Sequence, residues 1–212
     1  MKLLLDSKQE NRTLSLSLLN PPNSVTGPGG FFLPSENNSR CLILIDGSNF
    51  FHKVKNLDKN ISLTAFNYHS FCIKLSNHNF PKINYYVGQI RREKHNIKSF
   101  KLYSQQQRLF YNLEKQKINI KTGYMLKTKG KYYEKGVDVR IACDILKGAL
   151  VDKYDSCYLI SSDTDLIPAI HDARSEGKNV CYVGFKHQIS RALSRNCSSV
   201  KVIDKNFLQC FT

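Results

Sequence analysis

Cys41-Leu42-Ile43-Leu44-Ile45-Asp46-Gly47-Ser48-Asn49 decides the fold: five apolar residues run without interruption into a carboxylate, a glycine and an asparagine. A short continuous apolar run of this kind predicts a strand covered on both faces, as in a parallel sheet. Asp46 then falls at the carboxyl end of that strand, where Gly47 permits a tight turn and Asn49 can hold it. The same signal recurs downstream. Residues 82–90, 118–125, 157–160 and 180–183 read as further strands, and Val200–Ile203 as an edge strand. Between them apolar residues return at helical spacing: Ala65, Tyr68, Cys72 and Leu75; then Leu102, Leu109, Phe110 and Leu113; then Ile141, Ala142, Ile145, Leu146 and Ala149. Residues 167–173 and 189–193 give two more helices, and a basic turn surrounds Lys129-Gly130-Lys131. Strand–helix alternation with apolar strands specifies an α/β sandwich around a mainly parallel sheet. Such sheets bind ligands beyond the carboxyl ends of their strands, where the strand order reverses.

The 212 residues divide unevenly. Residues 1–40 hold four of the six prolines and the run Gly27-Pro28-Gly29-Gly30, and read as a flexible leader; residues 41–212 carry the α/β pattern as one domain. The start, Met1-Lys2-Leu3-Leu4-Leu5, is cut by Asp6 and Lys8 before it reaches the length of a signal peptide. No apolar run is long enough to span a bilayer. Seven cysteines form no C-x-x-C pair, several lie inside apolar runs, and the six histidines offer no zinc spacing. These are the thiols of a reduced, cytoplasmic protein. The net charge of +15 is concentrated: residues 91–135 contain 13 Lys and Arg against 3 Glu, interleaved with Tyr103, Tyr111, Tyr124, Tyr132 and Tyr133. Lysine and arginine neutralise phosphates and aromatic rings stack on unpaired bases, so the implied partner is RNA, single-stranded or structured. The oligomeric state is left open, a homodimer included.

Three stretches place acids where the fold puts chemistry. Asp46 ends the first strand. The strand at residues 157–160 ends in Ser161-Ser162-Asp163-Thr164-Asp165, with two carboxylates at the same rim, of which helix capping accounts for only one. Asp138, in Lys135-Gly136-Val137-Asp138, falls by helical count on the side of Ala142, Ile145 and Ala149, the stripe that packs on the sheet. Asp144 falls off that stripe and reads as exposed or structural. With the strands at 41–45 and 157–160 adjacent, Asp46 and Asp163 become neighbours, and Asp138 and Asp165 face them from helix starts. Carboxylates so close repel one another unless protonated or neutralised. An all-oxygen site without Cys or His suits Mg²⁺ or Mn²⁺, which can activate water for attack on a phosphodiester. Arg91, Arg92 and Lys135 are placed to contact phosphates near the same rim.

The segments LIDGSNF (44–50), KGVDVRIACD (135–144), LISSDTDLIPAI (159–170) and EGKNVCYVGF (176–185) together resemble the NYN domain, the LabA-like branch of the PIN-like nucleases. The resemblance covers roughly residues 41–207. It implies a Rossmann-like three-layer sandwich with a five- or six-stranded sheet and a divalent-metal site that cleaves RNA. By that resemblance Asp46, Asp138, Asp163 and Asp165 are the metal-binding and catalytic acids and Asn49 accompanies Asp46. Asp144 matches a frequently acidic helix position, against the helical count above. Ser162 stands where the family usually has Gly, and Thr164 where it has Ser; neither change removes a carboxylate. The reading is a metal-dependent ribonuclease, with a non-cutting RNA-binding or regulatory module of the same fold as the alternative. A haloacid-dehalogenase-type phosphatase is disfavoured because Asp163-Thr164-Asp165 comes too late in the chain. The absence of G-x-G-x-x-G and G-x-S-x-G argues against dinucleotide binding and serine hydrolysis.

Overall fold

Ile43, Leu44 and Ile45 are wholly excluded from solvent. The reason is their place in the computed structural model, which describes residues 39–92, 95–128 and 131–212. Strand β1 (Cys41–Asp46) is the middle strand of a seven-stranded sheet that also contains β2 (Lys82–Gln89), β3 (Asn119–Thr128), β4 (Lys131–Lys135), β5 (Ser156–Ile160), β6 (Asn179–Phe185) and β7 (Ser199–Ile203). The order is β4-β3-β2-β1-β5-β6-β7, parallel throughout except for the β3–β4 hairpin. β1 therefore lies between β2 and β5, and the order reverses there. The expected adjacency of the strands ending in Asp46 and Asp163 holds.

Helices cover both faces. Ile43 and Ile45 point to a core shared with α1 (Gly47–Leu57), α2 (Tyr68–Ser76), α3 (Ile97–Lys115) and α7 (Lys205–Gln209). That core is aromatic-rich, with Phe50, Phe66, Tyr68 and Phe71 meeting edge-on or tilted at 4.9–6.0 Å between centroids. Leu42 and Leu44 point to the other core, shared with α4 (Val137–Leu150), α5 (Ile167–Ser175) and α6 (Arg191–Asn196). This is the α/β three-layer sandwich expected from the sequence, with three differences.

The sheet has seven strands and not five or six, because the basic turn closes a hairpin whose return strand is β4. Residues 47–49 do not make a loop but open α1: the Asp46 carboxylate accepts the Asn49 N–H at 3.0 Å and caps the helix. Gly47 is required for close approach, since a β-carbon there would lie 2.7 Å from the Tyr86 carbonyl oxygen. The C-terminal residues form the short α7, which packs Leu208 into the first core.

The leader expected over residues 1–40 lies outside the described residues except for Ser39 and Arg40. Arg40 is tied to the domain. Its backbone N–H donates to Asp155 Oδ2 at 2.7 Å and its guanidinium reaches Asp155 at 2.6 Å and Asp152 at 2.9 Å. Those hydrogen bonds hold the Asp155 carboxyl down at about 2. Five of the seven cysteines are buried and all seven are free thiols. Among the described residues no helix is long and apolar enough to cross a membrane.

Candidate active site

The register sets the height of every rim residue. Asp46 pairs with Tyr86, Tyr86 with Lys121, and Gln89, the last residue of β2, with Tyr124. β3 continues beyond the end of β2, so from the Met125–Glu134 pair outward β3 and β4 form a two-stranded ribbon standing above the rim. At about 3.3 Å per residue, its last pair, Thr128 and Lys131, stands roughly 20 Å above Asp46. Tyr124, Leu126, Tyr132 and Tyr133 are exposed on it.

Asp46 is only 5% exposed. Its Oδ1 accepts from Asn49 N–H, and its Oδ2 accepts from the Ser161 hydroxyl at 2.8 Å. Burial pushes its carboxyl up to about 6; those two hydrogen bonds pull it back, and the charges of Glu134 and Asp138 raise it further. Ser161 also receives the Asp163 N–H, at 3.2 Å, so one hydroxyl couples the ends of β1 and β5. Asp163 in turn caps the turn Thr164–Leu166 by accepting from Asp165 N–H at 2.9 Å. Pro168 occupies the first turn of α5, as its missing N–H allows. Asn49 Oδ1 accepts from Ser162 Oγ at 3.3 Å. The residue at position 162 thus ties the β5–α5 loop to the first turn of α1.

Asp138 enters from α4. Gly136, with φ at +79°, makes the left-handed turn from β4 into that helix. Gly136→Ala is expected to destabilise the fold by about 1–2 kcal/mol, read as a lowered urea midpoint. Asp138 does not sit on the buried stripe that the helical count assigned to it. The buried residues are Val137, Ile141, Ile145, Gly148 and Ala149, and Asp138 is exposed. In the first turn of α4 it is Val137 that packs inward, and Asp138, the next residue, is turned out at the rim. Partial desolvation raises the Asp138 carboxyl first, followed by the charges of Asp163, Glu134 and Asp165. Asp165 is exposed.

Glu134 is the acid that the sequence reading missed. Its Oε2 accepts from Ser48 Oγ at 2.9 Å and from Gly88 N–H. The ribbon thereby delivers a fifth carboxylate to the group. The signal was present in the chain as Tyr-Tyr-Glu-Lys-Gly, a short strand-forming segment before a turn glycine, but it is meaningful only once the hairpin is recognised.

Asp144 is not part of this group. Tyr86 donates to its Oδ2 at 2.6 Å, Lys121 lies 3.6 Å away, and Asn84 Nδ2 donates to the Tyr86 oxygen at 3.1 Å. The structural role given by the helical count is the observed one. Tyr86→Phe is expected to cost about 1–3 kcal/mol by leaving Asn84 and Asp144 with unfilled hydrogen bonds, measured as a shift in urea midpoint at constant slope.

Arg91 and Arg92 follow β2 at the rim and are exposed; the Arg92 guanidinium lies over the Phe100 ring at 4.9 Å. Lys135 is exposed at the end of β4, opposite Tyr124. None of the three is ion-paired to a site acid.

A family model, the NYN domain, matches residues 40–204. The chain belongs to the NYN domain family. NYN is a PIN-like nuclease family. Among solved structures, a Vibrio parahaemolyticus protein of unknown function aligns with a TM-score of 0.60 at 17% identity, covering 83% of this chain and 99% of that one. The T5 5′-exonuclease with zinc bound aligns with a TM-score of 0.35 at 15% identity, over 68% of this chain and 55% of that one. No curated protein matches the sequence significantly. The Vibrio structure shares the fold of this NYN domain.

The side chains at this rim that could donate to a metal are all carboxylates: Asp46, Glu134, Asp138, Asp163 and Asp165. Among the described residues no lysine or arginine forms an ion pair with any of them. Among the described residues no three acids, histidines or cysteines stand close enough together to hold a metal ion as they are placed. Burial and neighbouring charges raise Asp46 and Asp138, and hard oxygen donors with no cation to offset them suit a hydrated dication. Mg²⁺ keeps several waters and commonly takes only one or two carboxylates directly.

Proposed function

We propose that this NYN domain is a Mg²⁺- or Mn²⁺-dependent ribonuclease, probing single-stranded RNA with its basic ribbon and cutting at the acid rim. The observation that carries the reading is Asp46. It is a buried carboxylate raised to about 6, with the charges of Glu134 and Asp138 on it, Asp163 joined to it through the Ser161 hydroxyl, and Asp163 and Asp165 in turn acting on Asp138. A fold does not keep such a group for its own stability. The bound dication would supply a Lewis acid and a water of lowered pKa. Asp46 and Asp163 would hold it, Asp138, Asp165 and Glu134 would hold its waters, and Asn49, Ser161 and Ser162 fix the β1–α1 junction against the β5–α5 loop. Arg91, Arg92 and Lys135 flank the rim to take phosphates.

Incubation of the protein with end-labelled single-stranded RNA, in Mn²⁺ and in EDTA, tests this. Internal cuts are expected only with the metal, and loss of at least about a hundredfold in rate for Asp163→Asn. Cleavage that persists in EDTA or in the variant overturns the assignment.

One observation favours the second reading, an RNA-binding module that does not cut: among the described residues no three of the carboxylates stand close enough to hold a metal ion. Binding without products in either Mg²⁺ or Mn²⁺ is its signature. Under both readings affinity falls with salt, and replacing Arg91 and Lys135 with alanine is expected to reduce the slope of log K against log salt by about 0.7 per lost phosphate contact.

A further inference from the structure

Beside the acids, at the foot of the ribbon, is a cavity of about 280 Å³. Ile90, Leu102 and Met125 give it apolar surface, Tyr132 adds an aromatic ring, and Arg91 and Lys98 bring positive charge to it. Lys127 Nζ lies over one face of the Tyr132 ring, 5.3 Å from its centroid, so the stacking face left to a base is the other one and the cation stands behind it. Leu102 is 43% exposed, an apolar side chain on the first half of α3 facing an opening rather than the core.

The cavity is joined to the acid site through one residue. Met125 and Glu134 are cross-strand partners and share a face of the ribbon. Both reach over Gly88, where a β-carbon would lie 2.7 Å from Glu134 Oε2 and 2.7 Å from Met125 Sδ. Glu134 belongs to the acids and Met125 to the cavity wall. Ile90 is two residues beyond Gly88, about 7 Å along β2. A strand whose phosphate lies at the acids would therefore pass the cavity mouth within its next nucleotides.

We infer that this cavity receives one unpaired nucleobase of the bound RNA, holding it between the Tyr132 ring and the Leu102–Met125 surface while Arg91 and Lys98 take the adjoining phosphates. The inference rests on the ribonuclease reading for the substrate but not for the cutting step. Apolar and aromatic walls suit the face of any base, and the cations at the cavity suit a polyanion better than a neutral small molecule. Duplex RNA keeps its bases stacked and could not fill the cavity.

The test uses the full chain in EDTA, so that no cleavage is needed. Fluorescence anisotropy compares a short labelled single-stranded RNA with versions carrying one abasic residue at successive positions. One abasic position is expected to weaken binding about tenfold and the others little, the size of one lost base–aromatic stack. Leu102→Trp, which fills the cavity, is expected to weaken the intact RNA about as much and to remove the difference between positions. Leu102→Ala, which spares the fold by shortening a partly exposed side chain, is expected to weaken it less. Equal affinities for every abasic position, or wild-type discrimination in the Leu102→Trp protein, overturn the pocket while leaving RNA binding intact. Failure of all these RNAs to bind overturns the pocket and the RNA reading together.

Discussion

Asp46→Asn is expected to make the protein more stable and to abolish its activity. The carboxyl is buried, and its pKa rises from 3.8 to about 6 on folding. Between those values the folded protein keeps a proton that the unfolded chain has released. This group's contribution is therefore most favourable to the fold below about pH 4. It declines as pH rises toward 6 and is fully unfavourable above it. Two pKa units correspond to about 3 kcal/mol at neutral pH, an upper figure for metal-free protein. An asparagine amide does not titrate. Its oxygen can accept from Asn49 N–H, and its NH₂ can donate to Ser161 Oγ, so both present hydrogen bonds have replacements. Thermal unfolding in EDTA should show Tm raised by several degrees at pH 7.5 and the gain vanishing toward pH 4. RNA cleavage in Mn²⁺ should fall by at least about a hundredfold. A variant that is less stable at pH 7.5, or that still cuts, would show that Asp46 serves the fold and not the site.

Glu134 carries the second large effect, and two substitutions separate its roles. Glu134→Gln keeps an oxygen to accept from Ser48 and Gly88 but removes the charge. It is expected to leave stability nearly unchanged and to reduce cleavage roughly tenfold to a hundredfold, with the loss partly recovered at higher Mn²⁺. Glu134→Ala also strands the Gly88 N–H, and is expected to cost a further 1–3 kcal/mol or so of stability. Equal cleavage by wild type and Glu134→Gln would confine Glu134 to bracing the ribbon. Gly88→Ala approaches the same contact from the other side. Its methyl would displace the Glu134 carboxylate and Met125. It should therefore weaken both cleavage and the handling of RNA beside the acids.

The central acids were legible because chain-local rules place them. An unbroken apolar run reads as a buried parallel strand, and the residue that ends it sits at the rim; this located Asp46 and the Asp163–Asp165 pair without any knowledge of distant contacts. The strand order made them neighbours, the adjacency that the sequence reading had taken as its condition. Asp144 was correctly separated from them by helical phase alone. What was hidden depended on chain reversal. Glu134 reaches Ser48 and Gly88 across 86 and 46 residues of sequence, by way of a hairpin whose return strand is five residues long and flanked by lysines. Nothing local marks it as a strand except the two tyrosines. α1 was hidden for a different reason. Asp46-Gly47-Ser48-Asn49 is equally good turn and helix-cap chemistry, and the choice is made by Phe50 and Val54 packing onto the sheet. Asp138 was put on the buried stripe because it is in phase with Ile145 and Ala149, but the stripe is centred nearer Val137, Ile141 and Gly148, which leaves Asp138 at its edge.

The most direct measurement is the anomalous scattering of a crystal soaked in Mn²⁺. The account predicts one manganese peak at the carboxyl rim between β1 and β5, with Asp46 or Asp163 within the ~2.0–2.6 Å of an oxygen ligand and the other acids reaching it directly or through water. The peak should be absent from Asp163→Asn crystals. Manganese bound elsewhere on the molecule with the rim empty, or bound equally well by the variant, would contradict it.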